Sequence, residues 1–317
     1  MSSPENSVEI SKTPEGITTI TLNRPHRRNA IDHPTAKTLY HSILDFENDE
    51  TQKVGILYGA GGSFCAGFDL HEVAKASSSS TSGNDEKGNQ YKGPRFNVES
   101  ERVQGRNAGP IGPSRLQVRK PLISAVAGYA VAGGLELSLI ADIRVAEENA
   151  IFGVFCRRFG VPLIDGGTVR LQAIIGLGRA LDMILTGRGV TAQEGLQMGL
   201  VNRVVGQGEA LNEAVKIAKQ LVAFPQLCMN VDRASCYYAA YEASSFQDAL
   251  RNEFGNGERV IMEEGVYGAA NLQVFHNYLG QVKVEEPTYN MILHGEIDNG
   301  AGITKPQKAP VIQPRPY

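Results

Sequence analysis

Leu122-Ile-Ser-Ala-Val-Ala-Gly-Tyr-Ala-Val-Ala-Gly-Gly-Leu-Glu-Leu-Ser-Leu-Ile-Ala141 is mostly apolar and, by length alone, could span a bilayer. Gly128, Gly133, Gly134 and Glu136 interrupt it and its character changes midway, so it reads as a buried strand, a turn and a helix opening at Gly133-Gly134. A second stretch repeats the pattern upstream. Val54-Gly-Ile-Leu-Tyr58 is a short apolar run that enters Gly59-Ala-Gly-Gly-Ser63 and continues as Phe64-Cys-Ala-Gly-Phe-Asp-Leu70. Two glycine-rich loops, each after a buried strand and each opening toward a helix, can aim backbone N–H groups at one oxygen and so form an oxyanion hole. Glu136 stands three residues after Gly133, in the first helical turn beside such a hole, where a carboxylate can act as a base.

The elements around this pair alternate strand and helix, an α/β pattern. Gly16–Leu22 reads as a strand ending in the turn Asn23-Arg24-Pro25, and Pro34–Asn48 as a helix. Strands recur at Ile143–Ala146, Ile151–Val154 and Leu200–Val205. Helices are expected at Thr168–Ile175, Arg179–Leu185 and Thr191–Met198, where Thr191 and Glu194 have capping-box spacing. Glu209–Ala223 and Ser244–Glu264 are amphipathic by helical period. The chain divides into an N-terminal tail (1–15), a core (16–205), a helical C-terminal region (206–283) and a Pro-rich tail (284–317). Four consecutive serines and little to pack make the stretch from about 76 to 113 a flexible insertion in the core.

Composition removes several classes of function. The 317 residues carry 31 Lys+Arg against 34 Asp+Glu, without the basic excess that nucleic-acid binding needs. Cysteines 65, 156, 228 and 236 have neither zinc-site spacing nor the density of a secreted disulfide scaffold, and the six His have no metal-ligand spacing. No metal site is expected. Met1–Glu15 has no apolar segment and the terminal Arg315-Pro316-Tyr317 is not a peroxisomal address, so the cytosol is the default compartment, with mitochondrial and peroxisomal locations left open. A nicotinamide-dependent oxidoreductase, suggested by Gly59-Ala-Gly-Gly-Ser-Phe64, fails because Phe64 occupies the third glycine of that fingerprint and the Ser-rich stretch replaces the second strand.

Taken in order, Leu22-Asn-Arg-Pro…Asn29-Ala, Phe64-Cys-Ala-Gly-Phe-Asp-Leu70, Pro121-Leu-Ile-Ser-Ala-Val-Ala-Gly…Gly133-Gly-Leu-Glu-Leu…Ala141-Asp, Gly160-Val-Pro…Gly166-Gly-Thr, Thr186-Gly and Ala192-Gln-Glu…Gly199-Leu-Val resemble the enoyl-CoA hydratase/isomerase, or crotonase, superfamily from Val8 to Gly268. The resemblance implies a spiral of ββα units with a helical C-terminal region that assembles as a homotrimer or homohexamer. It implies an acyl-CoA substrate, with CoA present only as part of that substrate and no other cofactor. By the same resemblance the N–H groups of Phe68 and Gly133 are the oxyanion donors, and Ala66, Asp69 and Leu70 line the CoA channel. Arg28, beside Arg24 and Arg27, is a candidate for the CoA phosphates.

Glu136 matches the first of the two glutamates that handle water and protons in the family's hydratases; the second position holds Cys156. Asp165 is the candidate replacement, because family members that isomerise dienoyl-CoA carry an aspartate near this place, although they also keep an acid where Cys156 stands. Asp165 could instead cap the helix near Thr168 or pair with Arg157 or Arg158. The expectation is hydration of a trans-2-enoyl-CoA, with Glu136 directing water and Asp165 or Glu136 returning the α-proton. The alternatives are an enoyl- or dienoyl-CoA isomerase, an acyl-CoA hydrolase, or a weakly catalytic acyl-CoA-binding scaffold.

Overall fold

The computed structural model describes residues 7–71, 83–84, 90–91 and 106–261. Most of the Ser-rich insertion, the end of the last expected helix and the whole Pro-rich tail lie outside the described residues. These residues build β1 (Val8–Lys12), β2 (Ile17–Leu22), α1 (His33–Asn48), β3 (Val54–Gly59), β4 (Gly83–Asn84), β5 (Gln90–Tyr91), β6 (Leu122–Val126), β7 (Tyr129–Val131) and α2 (Gly133–Ser138). They continue as β8 (Ile143–Glu147), β9 (Ile151–Gly153), α3 (Gly167–Ile175), α4 (Leu177–Thr186), β10 (Gly189–Thr191), α5 (Ala192–Met198) and β11 (Arg203–Val205). Three helices follow: α6 (Ala210–Ala223), α7 (Gln226–Tyr241) and α8 (Phe246–Val260).

One sheet has the order β1-β2-β3-β6-β8-β11, antiparallel at β1/β2 and parallel elsewhere. A second sheet has the order β10-β9-β7. Successive units give one strand to each sheet and then a helical segment: β6 and β7 lead to α2, and β8 and β9 to a 3-10 turn at Phe155–Phe159 and then α3. This is the ββα spiral expected from sequence. The apparent bilayer span at 122–141 divides into β6, β7 and α2, and no helix among the described residues is long and apolar enough to cross a membrane.

Every side chain of β6 is buried, as in a parallel strand covered on both faces. On one face α6 lays Ala210, Ala214, Ile217 and Ala218, at helical spacing, against Ile56, Ile123 and Val145. On the other, α1 contributes Leu39, Ile43 and Phe46 to the main core with Leu57, Leu122 and Leu135. Asp32 starts α1 by accepting a hydrogen bond from the Thr35 N–H at 3.0 Å.

Two sequence boundaries are corrected. Residues 8–12, read as tail, form the edge strand β1, whose register Ile10–Ile20 extends the sheet by one strand; a single apolar alternation in a polar stretch was too weak a signal. The end of the insertion, read as flexible to 113, is packed from 106 onward. Tyr40 donates to the Arg106 carbonyl, Arg106 pairs with the buried Glu47, and Ile111 is 1% exposed.

At α5, Thr191 accepts from the Glu194 N–H at 3.2 Å, as the capping-box spacing predicts, but the Glu194 carboxylate turns to Arg188 instead of closing the box. Thr191→Ala is expected to cost about 1 kcal/mol, read as a lower urea midpoint with unchanged m-value; no shift would mean the cap contributes nothing in place.

Candidate active site

The two glycine-rich loops meet because their glycines leave no room for side chains. A Cβ on Gly134 would overlap the Cys65 carbonyl, and one on Gly67, which sits at φ +92, would lie 2.8 Å from the Gly133 nitrogen. Cys65 N–H donates to the Tyr129 carbonyl at 2.8 Å and Val131 N–H to the Cys65 carbonyl at 3.1 Å, so the contact is laced by backbone hydrogen bonds. Ala132, the residue before α2, is held at φ +52 and ψ −126, a conformation that costs an L-residue about 1–3 kcal/mol and persists only under surrounding constraint. It delivers Gly133 as the first residue of α2, where the N–H has no carbonyl one turn back to bond. The sequence-predicted donors Phe68 and Gly133 are thereby brought to one cavity.

That cavity has a volume of about 290 Å³. Ala66, Phe68, Leu70, Gly133, Glu136 and Asp165 line it, all singled out from sequence, together with Pro110, Ile111, Val131, Ala132, Phe155, Cys156, Phe159, Val161, Pro162 and Ile164. Its wall is almost wholly apolar apart from the two acids. Two sequence candidates lie elsewhere. Asp69 is 5% exposed and tied to Arg24 at 3.2 Å and to the His71 N–H, so it locks the first loop and does not face the cavity. Arg28 stacks over the Tyr129 ring at 5.6 Å and is not among the residues that line the cavity.

Glu136 and Asp165, 29 residues apart in sequence, are directly linked. Glu136 Oε1 accepts from the backbone N–H of Asp165 at 3.0 Å and of Gly167 at 2.8 Å. Asp165 Oδ1 accepts from the Ser114 hydroxyl and from the Ile111 N–H at 3.3 Å. The second oxygen of each carboxyl has no hydrogen-bond partner among the described residues. Asp165 therefore neither caps α3 nor pairs with Arg157 or Arg158, whose guanidinium groups bond the carbonyls of Ile184 and Gly187.

Burial, reinforced by the neighbouring Asp165 charge, pushes the Glu136 carboxyl up to about 8. Burial also raises Asp165, but the Ser114 hydroxyl, the Ile111 N–H, Arg115 and Arg170 all favour its ionised form. The backbone N–H groups of Gly167 and Asp165, and Arg170, likewise favour ionised Glu136, so both carboxyls are raised by burial and each is partly held back by its hydrogen bonds. Cys156 shares the cavity, and burial followed by the Glu136 charge raises its thiol, so at neutral pH it stays protonated and does not serve as the base.

The sequence reading missed Ile111 and Ser114, because the Pro- and Gly-rich run Pro110-Ile-Gly-Pro-Ser114 looks like the close of a loop. Only its fold onto Asp165 reveals it. A larger cavity of about 530 Å³, lined by Arg115, Ile140, Arg170, Tyr237 and Tyr241, lies beyond Ile164; its lining holds no carboxyl group or thiol. Among the described residues no group of three or more His, Cys, Asp or Glu could hold a metal ion.

The sequence model of the enoyl-CoA hydratase/isomerase family matches residues 12–93 and 113–266. A short-chain-enoyl-CoA hydratase of Clostridium acetobutylicum is 35% identical over 224 residues, covering 69% of this chain and 76% of its own. Enoyl-CoA hydratase EchA19 of Mycobacterium tuberculosis is 37% identical over 211 residues, 64% of this chain and 70% of its own. The crystal structure of enoyl-CoA hydratase EchA1 from Mycobacterium marinum aligns with a TM-score of 0.70 at 29% identity, over 83% of this chain and 95% of that one.

Proposed function

The chain belongs to the enoyl-CoA hydratase/isomerase family, and from that premise we propose that it hydrates trans-2-enoyl-CoA thioesters with Glu136 and Asp165 as a one-proton acid–base pair. The observation that carries this reading is two buried carboxyls in one apolar cavity, Glu136 bonded to the backbone N–H of Asp165, beside the loops that bring Phe68 and Gly133 together.

In this reading the N–H groups of Phe68 and Gly133 hold the thioester oxygen, whose negative charge grows as water attacks. Asp165, the ionised member, takes a proton from water as the oxygen bonds to the β-carbon. Glu136, the protonated member, gives its proton to the α-carbon as the enolate collapses. Passing the proton from Asp165 back to Glu136 resets the pair. Relative to the expectation from sequence, in which Glu136 directs the water, this reading exchanges the two roles. These steps ask for no metal or redox cofactor, and CoA enters as part of the substrate. Exposed apolar rows on α4 (Leu177, Leu181, Leu185) and α8 (Phe246, Leu250, Phe254) support the self-association that the family resemblance implies.

The test is loss of the conjugated enoyl-thioester absorbance over a short-to-long series of trans-2-enoyl-CoA esters. Wild type is expected to hydrate part of the series, and Asp165→Asn to lower kcat about 100-fold or more. Full activity in Asp165→Asn would return all proton transfer to Glu136. Silence of the wild type on every ester, with the esters still bound, would replace hydration by isomerisation, hydrolysis or scaffolding.

A further inference from the structure

We infer that Ser114 is a positioning residue for this reaction: its hydroxyl, delivered by the segment that closes the insertion, holds the Asp165 carboxylate in place as the base. The inference rests on the role proposed above for Asp165.

The geometry is specific. Ser114 is wholly buried and donates to Asp165 Oδ1, the same oxygen that accepts the Ile111 N–H. Arg170 donates to the Ser114 carbonyl and, at 3.0 Å, to the Leu116 carbonyl, clamping the turn that carries the hydroxyl. Gly109 closes the other side, where a Cβ would overlap both Ser114 Oγ and Asp165 Oδ1. Upstream, the segment is tied to α1 through Arg106 and Glu47. The arrangement anchors one oxygen of Asp165 and leaves the other for the reaction. A hydroxyl donor also favours the ionised carboxylate, which a base needs to be. The other charged or titratable groups acting on Asp165 are Glu136 from α2, Arg115 from a separate 3-10 turn at Pro113–Arg115, Arg170 from α3 and Cys65 from the first loop.

Ser114→Ala tests this. Its kcat for hydration of a short trans-2-enoyl-CoA is expected to fall about ten- to hundredfold with KM within about twofold, the acidic limb of kcat/KM to move to higher pH, and carboxyl-carbon NMR to titrate Asp165 at higher pH than in wild type. Gly109→Ala, which displaces both oxygens, should give the same direction of change. In an Asp165→Asn background, Ser114→Ala should have no further effect on kcat. An unmoved Asp165 titration, or a kcat loss that persists undiminished in the Asp165→Asn background, would make Ser114 a packing residue and overturn the inference. A wild type that hydrates no ester, with Asp165 still shifted in Ser114→Ala, would remove the hydratase reading while supporting the Ser114–Asp165 coupling, so the two failures are distinguishable.

Discussion

Glu136→Gln is expected to lose about 1,000-fold or more in kcat for enoyl-CoA hydration while keeping its fold. The side-chain amide has the size of the neutral carboxyl, and its oxygen can still accept the Asp165 and Gly167 N–H groups that now bond Oε1. It cannot deliver a proton to the α-carbon. The loss should therefore appear in kcat, with binding of the CoA ester little changed; a variant retaining a tenth of the activity would remove Glu136 from proton transfer.

The same substitution has a stability signature whose sign follows from burial. Glu136 is raised from the ordinary carboxyl range to about 8 in the folded protein, so the native state binds a proton that the unfolded chain has released. The stability this contributes is complete below about pH 4.5 and lost as pH rises through 8. Wild type and Glu136→Gln should have similar urea stability at pH 5. By pH 9 the variant should be more stable by a few kcal/mol, the cost of an ionised carboxyl in that cavity. Parallel pH dependence of the two proteins would show that Glu136 is ionised throughout the range. In kcat/KM the same group should impose a descending limb near pH 8, because only protonated Glu136 can act as the acid.

Gly134→Ala is expected to damage fold and catalysis together. The added methyl would overlap the Cys65 carbonyl carbon and oxygen, and both are backbone atoms fixed by hydrogen bonds to β7 and by the turn at Gly67. One loop must move. Such overpacking costs about 1–3 kcal/mol, which for a domain of this size lowers Tm by roughly 2–12 °C. Moving Gly133 away from Phe68 also withdraws the oxyanion donor proposed above, worth roughly 3–4 kcal/mol in the transition state, so kcat should fall at least 100-fold in the surviving folded protein. Gly178→Ala, on α4 with open space around its Cβ position, is the control that should change neither. Unchanged Tm and kcat in Gly134→Ala would mean the loops do not need this close contact.

The strands and the two glycine loops were legible in the sequence because each is a local pattern: an apolar run, glycine where the backbone must approach another backbone, and a carboxylate one turn into a helix. Asp69 shows the limit of such reading. It sits inside Phe64–Leu70, one of the runs that carry the family resemblance, yet in the fold it pairs with Arg24. The pairing of Glu136 with Asp165 was a conjecture from resemblance, since nothing in the residues between them states that the 160–166 loop returns over α2. Ser114 carried no signal, because it looks like any serine after a proline.

By itself, then, the sequence determined the alternation of strands and helices, the two glycine-rich loops and the glutamate in the first turn after one of them, since strand, turn and helix preferences act over a few residues, while the ββα spiral followed from the family resemblance. Only the tertiary structure decided that the Asp165 backbone N–H lies within hydrogen-bonding reach of Glu136, that Ser114 and Ile111 favour the Asp165 charge, and that burial raises both carboxyls. Those properties are set by burial and by distances between residues far apart along the chain, and a carboxyl's pKa depends on both.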